Sequence, residues 1–119
     1  MNGNVQQSGG VVLYNWHMIM IDELRRKFSE DAFEFSKHAT DQTILRNISV
    51  EEIRDTVHTG EIIEDYPDDK YGPSYLIAGF TVNKRPIHIQ CSHPSRTSIK
   101  IITVYEPNPE KWIDLKIRR

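Results

Sequence analysis

Several side chains of this 119-residue chain could move a proton or hold a phosphate. His38 follows Lys37 and stands eight positions before Arg46, about two turns if the segment is helical, so the two can share a face. His88 alternates with Ile87 and Ile89, which turns its ring toward the polar side of a strand. Thr103 and Tyr105 share one face of a later strand, Arg85 sits at a turn, and the chain ends in Arg118-Arg119. Imidazole titrates near neutrality, as a general acid or base must. Guanidinium offers a planar fork that matches phosphate. Phosphoryl transfer needs a base for the attacking hydroxyl, an acid for the leaving oxygen and cations around the phosphorane.

Each of these residues also has an ordinary structural explanation. His38 is either a base or phosphate binder, or a half-buried ring that caps its helix. Arg46 either grips phosphate or pairs with Asp41 or an exposed neighbour. The face carrying His88 is either solvent or a cleft. Tyr105 is either a hydroxyl donor or a core ring with its oxygen at the rim. Lys84 and Arg85 fit a solvated turn, His93 a surface turn, and Trp112 an anchor for the C-terminal segment. Arg118 and Arg119 are electrostatic arms or a mobile tail. Cys91 and His93 stand two apart with no second pair of ligands, so no metal site is expected. No glycine-rich phosphate loop or other cofactor motif is present.

The charge is split. Residues 1–80 hold 7 Lys/Arg and 14 Asp/Glu, and residues 81–119 hold 8 and 3, beneath a formal net charge of -2. A basic end of this kind suggests an anionic partner, with nucleic acid the usual one. No apolar run approaches the length of a membrane span. The single cysteine excludes an internal disulfide and suits a reducing cytoplasm.

Residues 1–17 read as a flexible leader and 18–119 as one α+β domain. Met18, Met20, Ile21, Leu24 and Phe28 mark a helix over 19–29, and Ala32–Ser36 is a short extended stretch. His38–Asn47 reads as a second helix offering Ala39, Ile44 and Leu45 to the core. Ser49 and Glu52 form a capping box for a third helix over 50–59, with Ile48 and Ile53 as a staple and Gly60 as a left-handed stop. Strands follow at 61–66, 75–82, 86–91 and 99–105, the last apolar on both faces as a central strand is. Short turns between them predict a four-stranded antiparallel sheet with the N-terminal helices packed on one face.

Several motifs occur in a familiar order. They are Phe35-Ser36-Lys37-His38-Ala39, Arg46-Asn47-Ile48-Ser49, the capped helix closing on Gly60-Glu61-Ile62-Ile63, and Ile102 through Trp112. Over roughly residues 20–119 the chain resembles the bacterial domain-of-unknown-function family numbered 4258, itself similar to RelE-type ribonuclease toxins. That resemblance implies a RelE-like sheet and a metal-independent endoribonuclease toxin, with RNA as substrate, ribosome-associated or free, and a small antitoxin as partner. Its motif carries over to His38 and Arg46 as catalytic residues; the chemistry of the residues adds His88 and Tyr105 as catalytic candidates and Lys37, Arg85, Thr103, Arg118 and Arg119 as substrate-binding candidates. The family pattern has a His, an Arg four residues later and a second Arg. Here His38 and Arg46 match, and Gln42 stands between. That departure favours the alternative of a non-catalytic module that binds RNA or protein.

Overall fold

A computed structural model describes residues 9–70 and 72–119, with residues 9–15 described as backbone only. Helix α1 runs Gly9–Ser29 and buries Ile21, Leu24 and Phe28, spaced three and four apart, while Arg26 pairs with Glu23 and Glu30 in solvent. Its apolar periodicity marks the helix only from residue 19. The earlier turns therefore occupy part of the stretch read as a leader, whose first eight residues lie outside the described ones.

Helix α2 (Lys37–Leu45) is started by Ser36, whose Oγ accepts from the Ala39 amide at 3.0 Å and donates to the Ile102 carbonyl at 3.0 Å. One hydroxyl thus caps the helix and ties it to the sheet. Ala39 enters the core. Ile44 and Leu45 do not, being 76% and 77% exposed, so two of three expected core residues of α2 face solvent.

Helix α3 (Val50–Thr59) has both hydrogen bonds of the Ser49/Glu52 capping box, and Ile48, Ile53 and Val57 are buried. Gly60 ends it, but at φ -87° rather than in the left-handed region. Space is the reason for glycine here. A Cβ at Gly60 would stand 2.7 Å from the Ala78 carbonyl oxygen, and one at Gly79 would stand 3.0 Å from the Gly60 Cα.

The sheet contains β1 (Phe33–Phe35), β2 (Glu61–Tyr66), β3 (Ser74–Phe80), β4 (Pro86–Ser92) and β5 (Ile99–Tyr105), in the order β1-β5-β4-β3-β2. The expected four-stranded antiparallel sheet is therefore wrong: five strands form a mixed sheet, with β1 parallel to β5 in the register Phe33↔Ile99 to Phe35↔Ile101. The physical reason lies in β5. In a simple meander it would be an edge, but β1 pairs with its free side and makes it a central strand. A bulge in β5 opposite Gln90 and Cys91 shifts its phase. Ile99 and Ile101 face the core before the bulge and Val104 after it, and Thr103 and Tyr105 face the other way.

The core lies between the helices and the sheet face bearing Ile77, Ile87, Ile89, Cys91 and Ile101. Burial pushes the Cys91 thiol up to about 12, which leaves it inert. The opposite sheet face carries His88 and Gln90. Near His88 it is covered by a small hairpin absent from the sequence reading, β6 (Trp112–Ile113) with β7 (Ile117–Arg118).

Candidate functional site

His88 is completely buried. Its Nε2 lies 2.7 Å from the Leu115 carbonyl oxygen, which can only accept, so Nε2 carries the proton and donates. Nδ1 then accepts from the Tyr105 hydroxyl at 3.1 Å. The Trp112 ring meets His88 edge-on at 4.5 Å, and Arg118 stacks on the Trp112 ring at 4.6 Å. Burial holds the His88 pKa below the usual imidazole value and pushes the Tyr105 phenol up. Both nitrogens are occupied and water is excluded. Of the two alternatives for its face neither applies: the C-terminal hairpin seals it, and His88 with Tyr105 forms a lock that holds the hairpin.

Most of the expected phosphate-binding cations are also engaged within the protein. Arg85 pairs with Glu52 at 3.1 Å and with Glu106, and donates to the Asn47 and Arg46 carbonyls at 2.9 Å each. It fastens the α2–α3 connection to the end of β5. The Glu106 hydrogen bond and charge, with those of Glu52, hold its pKa above the usual guanidinium value. Arg118 pairs with Glu64 at 3.0 Å and donates to the Tyr66 hydroxyl at 3.3 Å. Lys116 pairs with Glu61 at 3.0 Å. The acidic and basic ends of the sequence thus answer one another across β2 and β7. Arg119 donates to the Pro109 carbonyl, and Lys37, with its side chain 90% exposed, pairs with Asp41 at 3.0 Å.

His38 and Arg46 sit at opposite ends of α2, about 12 Å apart along its axis. Arg46 is the C-cap residue, and its Nε donates to Gln42 Oε1. Gln42, where the family pattern has arginine, therefore orients Arg46 instead of duplicating it. His93, expected on the surface, stacks on Tyr75 at 3.9 Å and lies 3.3 Å from an Asp65 oxygen.

Of the two expected catalytic histidines, His38 is the exposed one. The ring is exposed at the first turn of α2, with Nε2 3.2 Å from Thr103 Oγ1. It lines a cleft of about 660 Å³ with Ser36, Ser92, Arg96, Lys100 and Ile102. Arg96 is exposed and its guanidinium makes no hydrogen bond or ion pair among the described residues, while Lys100 pairs with Glu34 at 2.9 Å. Local sequence explains the placement. Ser36 anchors the start of α2 to β5, the bulge turns Ile102 and Thr103 outward, and the Ser92–Ser98 connection carries Arg96 to the rim. The structure thus joins His38 with Thr103, and separates them from Arg46, His88, Arg85 and Arg118.

Sequence reasoning missed Arg96 and Lys100 as site residues. They lie in a turn and at an alternating strand position with nothing local to mark them, and only the β1–β5 pairing and the α2 cap bring His38 to them. No three His, Cys, Asp or Glu side chains among the described residues converge as a metal cage would. No helix among the described residues is long and apolar enough to cross a membrane.

Compared with known proteins, residues 35–106 match a family described as a domain of unknown function (DUF4258). No curated protein and no solved structure matches. The matched stretch contains the whole His38 cleft and excludes the C-terminal hairpin.

Proposed function

The chain belongs to the DUF4258 family, and we propose that it is a metal-independent endoribonuclease, the toxin of a toxin–antitoxin pair, working at the His38 cleft. One observation carries this reading: an exposed imidazole opens on a cleft beside an unpaired guanidinium, a lysine and a hydroxyl. Arg96 holds the scissile phosphate, and Lys100 joins it on leaving its ion pair with Glu34. His38 Nε2 exchanges its Thr103 contact for the ribose 2′-hydroxyl and takes its proton. The 2′-oxygen attacks phosphorus, the bond to the 5′-oxygen breaks, and that oxygen takes a proton from solvent. The products are a 2′,3′-cyclic phosphate and a 5′-hydroxyl. The internal nucleophile makes the substrate RNA, because DNA has no 2′-hydroxyl. The toxin role and the antitoxin partner rest on the similarity of the family to RelE-type toxins.

The test is cleavage of RNA by the purified protein in EDTA, with and without ribosomes. His38→Ala is expected to abolish cleavage and Arg96→Ala to reduce it at least tenfold. Full activity in the folded His38→Ala variant would end the proposal.

A second reading, a non-catalytic RNA-binding module, is favoured by the single imidazole in the cleft, which leaves no side chain dedicated to the leaving oxygen. Salt-sensitive binding of RNA without cleavage is its signature.

A further inference from the structure

We infer that the cleft lined by Arg46, Tyr105 and Lys111 is a second phosphate subsite, which binds a neighbouring phosphate of the strand held at His38; this rests on the reading of the His38 cleft as an RNA site. The second cleft measures about 420 Å³ and includes Arg118 in its wall. Its charges are unequal in availability. Arg118 is compensated by Glu64, while Glu106 shares Arg85 with Glu52 and leaves some negative charge on the wall, less than the two free cations supply. The Lys111 ammonium makes no hydrogen bond or ion pair among the described residues. Arg46 has only its Nε engaged, by the neutral Gln42, so its two Nη groups retain their donors. Two uncompensated cations on one cleft suit an anion with several acceptor oxygens.

The spacing joins this cleft to the first. Thr103, which contacts His38, and Tyr105, which lines the second cleft, are successive residues on one face of β5, opposite Gln90 and His88. Two such residues stand about 6.6 Å apart. On the helical side, His38 and Arg46 stand about 12 Å apart along α2. One or two nucleotides of an extended single strand span that interval. A strand lying along α2 and β5 would meet Arg96 and Lys100 at one phosphate and Arg46 and Lys111 at another. Trp112 is not a stacking platform here, since Arg118 covers its ring.

The test uses 2′-O-methyl oligouridylates of one to four nucleotides, which cannot be cleaved, titrated into the full chain by calorimetry. In the parent, affinity is expected to rise as phosphates are added. Lys111→Ala and Arg46→Gln are each expected to weaken the tetranucleotide about tenfold, to leave the mononucleotide unchanged, and to lower the slope of log affinity against log salt by about 0.7. Arg96→Ala is expected to weaken every length. Parent-like binding of the tetranucleotide by both Lys111→Ala and Arg46→Gln would overturn the second subsite while leaving the His38 cleft intact. No binding of any length by the parent would overturn the RNA reading and the subsite with it.

Discussion

The His88 cluster and the His38 cleft hold nearly the same functional groups and differ in what those groups are free to do. Each joins an imidazole to a hydroxyl within 3.2 Å and has arginine nearby. At His88 both ring nitrogens are occupied, the ring has no exposed surface and the arginine is paired. At His38 the ring is exposed and the arginine is unpaired. The same residue types thus build a structural lock in one place and an open site in the other. Accessibility and unused hydrogen-bonding capacity separate them, and residue identity does not.

Removing the locked groups should bring out that contrast most strongly. His88→Ala deletes a buried ring and leaves the Leu115 carbonyl and the Tyr105 hydroxyl without partners, a loss of about 3 kcal/mol in urea unfolding. His38→Ala should change stability by less than about 0.5 kcal/mol. Equal losses in the two variants would break the comparison. Arginine gives a second, smaller version. Arg85→Met should cost about 2 kcal/mol, because it frees two carboxylates and two carbonyls, while Arg96→Ala should be near neutral by the same assay.

Acid should affect the lock through proton linkage, the smallest effect. Burial lowers the His88 pKa, so below about 6.5 the unfolded chain takes up a proton that the folded chain resists. This contribution to stability is fully present above that value and declines as pH falls through it. His88→Gln, whose amide can donate to Leu115 and accept from Tyr105, should flatten the fall of Tm between pH 7 and 5. An unchanged pH slope in that variant would place the acid sensitivity elsewhere.

The sequence made local features plain and long-range ones obscure. The capping box of α3, the alternation of β4 and the bounds of β2 and β5 depend on neighbours in the chain, and all appear in the structure. The doubly apolar β5 even implied a strand on each side, but three residues of β1 give no sign of which strand they will join. The site was harder. His38 and Thr103 were legible as candidates, whereas Arg96 depends on a turn that only tertiary structure places. The basic stretch hid a related long-range feature: Lys116 and Arg118 find Glu61 and Glu64 of the same chain, far away in sequence.

The most direct test of the account compares RNA cleavage in EDTA, with and without ribosomes, by the parent, His38→Gln and His88→Gln, as a rate per folded molecule. The account predicts loss of cleavage in His38→Gln and near-parent activity in His88→Gln. Activity retained in His38→Gln and lost in folded His88→Gln would contradict it, placing the chemistry in the cluster described here as a lock.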